Sequence, residues 1–185
     1  MNMVLARAVL EALIFAASEP ISVKTIAEIT EISEHTVVQL IADLSEDYHR
    51  HKRGIQIVEV AKGYQFCSHP ECAPYLEKLQ KTPRNVGLSP AAVETLAIIV
   101  YKQPITKAEI EALRGVSIDS SLTGLLEKQL VAETGRKDAP GRPILYGTTK
   151  QFLKHFGLND LSELPQIPEW IEMNPAHTIT MDVEE

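Results

Sequence analysis

Between Met3 and Ala17 the apolar residues Val9, Leu10, Leu13, Ile14 and Ala17 recur at helical spacing and leave Arg7 and Glu11 on the other face, which predicts an amphipathic helix over 4–17. A second apolar helix is predicted over 89–101, and each is followed by a proline turn, Pro20-Ile21-Ser22 or Pro104-Ile105-Thr106. Laid on itself with Pro20 over Pro104, the chain shows an internal repeat. Ile26 and Ile29 fall on Ile110 and Leu113, Ile32-Ser33 on Val116-Ser117, and Val38 and Ile41 on Leu122 and Leu125. Ser22 and Thr106 offer hydroxyls suited to capping a second helix, and Ser33 and Ser117 are expected to open a third. Two β-rich runs close each copy, Gly54–Val60 with Gly63–Cys67 and Leu130–Thr134 with Pro143–Tyr146. Their turns carry Lys62-Gly63 and the stretch Asp138 to Gly141. Pro70–Leu79 and Thr149–Phe156 read as short closing helices, the latter with Gly157 at its C-cap.

Three helices, the last two as a helix-turn-helix, followed by a hairpin make the winged-helix plan. The fold class expected is therefore mainly α with small β-hairpins (α+β), built as two tandem winged-helix domains. The first spans 1–79, a polar linker with Pro83 and Gly87 spans 80–88, the second spans 89–165, and an acidic tail without Lys or Arg spans 166–185 and reads as irregular.

At 185 residues, 44% hydrophobic and 23% charged, the balance is that of a globular chain with room for two small cores. Cys67 and Cys72 are too few for a disulfide framework. The apolar run Leu96–Tyr101 falls far short of the roughly 20 residues a membrane helix needs. The first helix faintly resembles a secretory leader, but Glu11 would stand in its apolar core. A cytoplasmic protein away from membranes is expected.

Winged helices invite a DNA-binding reading, and charge tests it. Residues 1–82 hold 8 basic and 11 acidic groups, 83–165 hold 10 and 9, and the tail holds 5 acidic and none basic, within a formal net charge of −7. Between Lys24 and Arg50 there is no Lys or Arg, while Glu28, Glu31, Glu34, Asp43, Glu46 and Asp47 crowd the first helix-turn-helix. Phosphates would repel such a helix. In the second copy Arg136, Lys137 and Arg142 make only the wing basic. A transcription regulator gripping DNA through that wing is the rival reading, with salt-dependent duplex binding as its signature.

Catalytic readings lack their residues. There is no phosphate-cradling glycine loop before a helix, no dinucleotide fingerprint and no His-Glu-x-x-His. Cys67, His69 and Cys72, with His49 and His51 upstream, offer zinc-ligand chemistry at a spacing that fits no common zinc pattern. Neither catalytic residues nor a metal or cofactor is expected, so the surface is read as binding protein.

One string is specific. Leu88-Ser-Pro-Ala-Ala-Val-Glu-Thr-Leu-Ala-Ile-Ile-Val-Tyr-Lys-Gln-Pro-Ile-Thr-Lys-Ala-Glu-Ile-Glu, then Arg114-Gly-Val, Gly135-Arg-Lys-Asp-x-Pro-Gly-Arg-Pro, Tyr146-Gly-Thr-Thr and Phe156-Gly-Leu with Leu164-Pro, closely resembles the segregation and condensation protein B family over about Leu10 to Pro165. Lys107 stands where that family commonly has Arg, and Ser117-Ile118 where it has Asn-Ser. The resemblance implies a non-catalytic subunit of the bacterial condensin-like complex in chromosome condensation and segregation, associated with the nucleoid. It implies a homodimer formed mainly through the first winged helix and a kleisin partner, segregation and condensation protein A, held largely by the second and linking it to the SMC ATPase. Little or no direct DNA binding is expected.

A helix-groove interface wants apolar anchors with a few oriented polar groups. Tyr101, Gln103, Pro104 and Ile105 at the end of the second copy's first helix, with Arg142, Pro143 and Tyr146 on the wing, are the residues expected to contact the kleisin. Leu5, Leu10 and Ile14 are expected at the dimer contact, because a helix in a three-helix core cannot bury so much apolar surface on one side.

Overall fold

Side-chain caps start most of the helices where the sequence places them. In the computed structural model, which describes residues 2–79 and 87–165, Asn2 accepts the Leu5 amide at 2.8 Å and opens α1 (Met3–Ala16). Ser22 caps α2 (Val23–Thr30) through the Thr25 amide at 3.1 Å, and Ser33 caps α3 (Glu34–Arg50) through the Thr36 amide at 3.2 Å. β1 (Ile55–Val60) and β2 (Gly63–Ser68) follow as an antiparallel hairpin with Val60 opposite Gly63, leaving a two-residue turn at Ala61 and Lys62 with φ of 51° and 62°. That is the left-handed geometry that matches the strand twist. A 3₁₀ turn at Pro70–Cys72 leads into α4 (Ala73–Leu79).

The second copy begins with α5 (Pro90–Lys102), whose first turn holds a proline and is capped by Ser89. The Gln103-Pro104 peptide is cis. β3 (Ile105–Thr106) precedes α6 (Lys107–Arg114), which starts in a reciprocal capping box between Thr106 and Glu109 and ends at Gly115 with φ 70°. α7 (Asp119–Glu127), β4 (Val131–Arg136), β5 (Ile144–Thr148) and α8 (Lys150–Phe156) complete it, with a 3₁₀ turn at Leu161–Glu163. The expected opening of α7 by Ser117 is corrected: Ile118 holds the N-cap position with no side-chain cap, while the Ser117 hydroxyl donates to the Asp119 carboxylate at 2.8 Å. The sheet has one strand more than expected. Ile105 pairs with Tyr146 and Thr106 with Leu145, giving the order β3-β5-β4.

Two compact units result, one of residues 2–79 with Leu153–Glu163, the other of 87–152 with 164–165. In the first, Leu10, Ile14, Ile26, Val37, Leu40, Ile41 and Leu44 form the core of α1, α2 and α3, closed by Ile57 of the hairpin. The hairpin is stitched to the proline turn, since Ile21 and Tyr64 exchange backbone hydrogen bonds of 2.8 and 2.9 Å. Gly63 is needed there because a Cβ would come within 2.7 Å of the Pro20 carbonyl. Leu158 and Asn159 close the wing, the Leu158 carbonyl accepting from the Ala61 amide at 2.9 Å and the Asn159 Oδ1 from the Lys62 amide at 2.6 Å. In the second unit Leu96, Ile99, Ile110, Ile118, Leu122, Leu125 and Phe152 are buried, and α5 packs on α6, α7 and β5.

The repeat survives in space with a division of labour. Ile26 and Ile110, and Ile41 and Leu125, are buried core pairs, whereas Ile29 and Leu113 are both exposed. Val38 is exposed where its counterpart Leu122 is buried. Of the expected linker only Gly87 and Leu88 lie among the described residues, and the acidic tail at 166–185 lies outside them.

Candidate partner-binding surface

The residues expected to touch a kleisin separate into a scaffold and an outer layer. Gln103 follows α5 directly, and its Oε1 accepts the Thr148 amide at 2.7 Å and the Thr148 hydroxyl at 3.0 Å, while its Nε2 donates to the Val100 carbonyl at 3.1 Å. It therefore ties the end of α5 to the end of β5. Ile105 and Tyr146 face each other across the β3-β5 pairing and are both buried. Burial, and then the negative charge of Glu133, hold the Tyr146 phenol above its ordinary range, so it stays neutral. Tyr101, Pro104 and Arg142 are exposed and Pro143 is half-buried. The Tyr101 hydroxyl donates to the Pro165 carbonyl at 3.0 Å.

These groups also lie apart. Arg142 sits at the hairpin turn and Thr148 at the far end of β5, so at a rise of about 3.3 Å per residue the turn is roughly 20 Å from the Gln103 anchor. The structure thus brings together Gln103, Ile105 and Tyr146 as one cluster and places Arg142 with Pro143 in another. Arg136, absent from the expected site, joins the second cluster by donating from Nη1 to the Arg142 carbonyl at 3.1 Å. Its position in the basic wing was the available signal.

Of the residues expected at a dimer contact, Leu10 and Ile14 are 0% and 1% exposed and belong to the core of their own chain. Leu5 is 53% exposed, and Val4 and Phe15, which the sequence reading left out, are also exposed on α1. Beside Phe15 runs a shallow groove of about 260 Å³ bordered by Ala8, Ala12, Tyr48, Ile55 and Phe66. Its aromatic wall is set by Phe66, whose ring centroid lies 5.3 Å from Tyr48 and 6.5 Å from Phe15. Tyr48 donates to Glu11, and burial together with that carboxylate raises its phenol.

Electrostatics differ between the units. On α3 the exposed side chains include Glu34, Asp43 and Glu46, and Asp47 is paired with Arg7 at 2.8 Å. In the second unit Lys107 pairs with Asp119 and Glu111, Lys137 with Glu109, and the largely buried Arg114 with Glu94 at 2.7 Å. Lys137, the Thr106 amide and the Thr106 hydroxyl together pull the Glu109 carboxyl from 4.5 down to about 2. Cys67 and Cys72 are free, His69 heads the 3₁₀ turn, and no group of three or more metal-ligating side chains is found among the described residues. No helix among the described residues is long and apolar enough to cross a membrane.

A family model described as segregation and condensation complex subunit ScpB matches residues 8–167. Segregation and condensation protein B of Desulforamulus reducens is 50% identical over 165 residues, 89% of this chain and 91% of that one. The Symbiobacterium thermophilum protein of the same name is 54% identical over 159 residues, 86% and 72% of the two chains. The crystal structure of ScpB from Mycobacterium tuberculosis is 31% identical, covers 85% of this chain and 98% of that one, and has a TM-score of 0.43. A crystal structure of a dimer of the ScpB N-terminal domain complexed with an ScpA peptide is 40% identical, covers 42% and 96%, and has a TM-score of 0.40.

Proposed function

The chain belongs to the segregation and condensation protein B family, and on that premise we propose that it is a non-catalytic adaptor of the bacterial condensin-like SMC complex. It works as a homodimer that binds the kleisin subunit, segregation and condensation protein A, and reaches the SMC ATPase through it, in the cytoplasm at the nucleoid. The observation that carries this reading is the family match over residues 8–167, with about half of the residues identical to relatives across most of the chain.

Each unit has its own task in this reading. The first, the winged helix proposed over 1–79 and joined here by Leu153–Glu163, holds the dimer contact through Val4, Leu5 and Phe15, with Leu10 and Ile14 as the core that fixes α1. The second, proposed over 89–165, offers Tyr101, Pro104, Arg142 and Pro143 to the kleisin, on a frame supplied by Gln103, Ile105 and Tyr146. Duplex DNA is a poor ligand, because α3 presents carboxylates where a groove-reading helix would meet phosphates.

Light scattering on the chromatographed protein, alone and mixed with the kleisin subunit of the same organism, tests this reading. A dimer that shifts to a stable heteromeric complex is expected. A monomer that ignores the kleisin while binding duplex DNA would replace it with the transcription-regulator reading.

A further inference from the structure

We propose that the wing of the second unit captures a carboxylate-bearing segment of the protein partner through the guanidinium groups of Arg136 and Arg142. This rests on the adaptor reading above and specifies the chemistry of the surface it would use.

The turn that carries the two arginines is internally fixed. The Lys137 amide donates to the Pro143 carbonyl at 2.8 Å, the Ala139 amide to the Lys137 carbonyl at 3.0 Å, and the Arg142 amide to the Ala139 carbonyl at 2.8 Å. Arg136 closes the arrangement with its 3.1 Å bond to the Arg142 carbonyl, so its guanidinium lies beside the backbone from which Arg142 projects. Both side chains are therefore presented from one ordered turn, and both residues are exposed.

The neighbouring cations are already neutralised. Lys137 is paired with Glu109, Lys107 with Asp119 and Glu111, and Arg114 with Glu94. Arg136 meets a carbonyl rather than a carboxylate, and among the described residues neither arginine enters an ion pair. Asp138, the carboxylate of the same turn, is not in an ion pair with them either. Two guanidiniums thus stand at the tip of the wing without an anionic partner among the described residues.

Arg142 also sits where an arginine is disfavoured. Its φ is 42°, directly after Gly141 at 81°, and left-handed backbone is sterically costly for a residue with a Cβ. Glycine or asparagine would adopt that conformation more readily. A guanidinium presents a planar fork of donors that matches a carboxylate or a phosphate in two-point geometry.

Between those anions the surroundings favour the carboxylate. Salt-sensitive DNA binders typically neutralise about 6–10 phosphates, and two free arginines are far short of that number. Residues 83–165 as a whole nearly balance, with 10 basic and 9 acidic groups, and Asp119 and Glu127 lie on α7, the helix that would approach a groove. An acidic peptide segment needs only one or two such contacts.

The test is a titration of the full-length kleisin subunit with the full-length protein from about 50 to 200 mM salt, the range over which charge contacts weaken measurably. Arg136→Ala with Arg142→Ala is expected to lower affinity at least about tenfold at low salt and to flatten the salt dependence, with the thermal unfolding midpoint unchanged. Arg142→Lys should recover only part of the loss, because it restores charge without the fork. Arg142→Ala alone, at an exposed turn, carries the test if the double variant is destabilised. Unchanged affinity and salt slope in the variants would sink the carboxylate contact and leave the adaptor reading standing. Absence of binding by the unaltered protein would remove both. Arginine-dependent binding of a short DNA duplex at physiological salt would assign the wing to nucleic acid instead.

Discussion

The carboxamide of Gln103 accepts both the amide and the hydroxyl of Thr148, at 2.7 and 3.0 Å, and so joins the end of α5 to the end of β5 across 45 positions of sequence. The two groups it satisfies are partly buried, and removing the acceptor leaves them unpaired. Gln103→Ala should therefore destabilise the second unit by about 1–3 kcal/mol in urea unfolding. Gly147 packs on the same side chain, where a Cβ would approach the Gln103 Oε1 to 2.9 Å. An unfolding midpoint unchanged in the variant would mean that the Thr148 groups find water instead.

Leu10 and Leu5 lie on one helix with opposite fates. Leu10→Ala opens a cavity in the core and should cost about 2–5 kcal/mol in denaturant unfolding. Leu5→Ala should change stability by less than about 0.5 kcal/mol if Leu5 faces solvent, as it does in the single chain. Under the dimer reading Leu5→Glu raises the dissociation constant measured by light scattering at low protein concentration. A dimer untouched by Leu5→Glu would move the contact off this part of α1.

Neighbouring positions of the first wing should respond in opposite directions. Lys62 sits at φ 62°, and Lys62→Gly is expected to stabilise by about 0.5–1 kcal/mol by relieving left-handed strain, while its amide keeps the Asn159 bond. Gly63→Ala should destabilise by about 1–3 kcal/mol, because the added methyl would press on the Pro20 carbonyl. Urea unfolding of the two single variants decides both. A stabilising Gly63→Ala would mean that the Pro20 turn yields freely.

The carboxyl of Glu109 titrates near 2 in the folded chain because Lys137 and then the Thr106 amide and hydroxyl favour its charged form. A depressed folded value contributes stability above the ordinary range near 4.5 and loses it as pH falls toward about 2. Thermal unfolding of the wild-type protein and Glu109→Gln should therefore differ at neutral pH, with the wild type higher, and converge between about pH 5 and 2. A constant difference across that range would assign the effect of Glu109 to hydrogen bonding without charge.

Much of this architecture was legible because it is local. Ser22, Ser33 and Thr106 cap helices where a hydroxyl before an apolar period predicts a cap, and the alternation after Gly54 and Leu130 marks strands that do form. Those signals act within a few residues, where hydrogen bonding to the first turn or the side-chain period is decided by neighbours in sequence. Ser117 shows the limit. It has the right residue type in the right register of the repeat, yet its hydroxyl is taken by Asp119 and the helix starts without it.

The sequence by itself determined the two repeated helix-turn-helix and hairpin units, the acidic face of the first, the basic wing of the second and, through a long specific string, the family. Only the tertiary structure decided that Leu10 and Ile14 turn inward while Leu5 stays out, that Ile105 becomes a third strand against Tyr146, that Gln103 and Tyr146 are scaffold, and that Leu153–Glu163 complete the first unit. Each of those outcomes depends on which distant residue fills a space or meets a hydrogen bond. Periodicity reports only that a face is apolar, so the choice among equally apolar or equally polar residues is made when remote segments pack together.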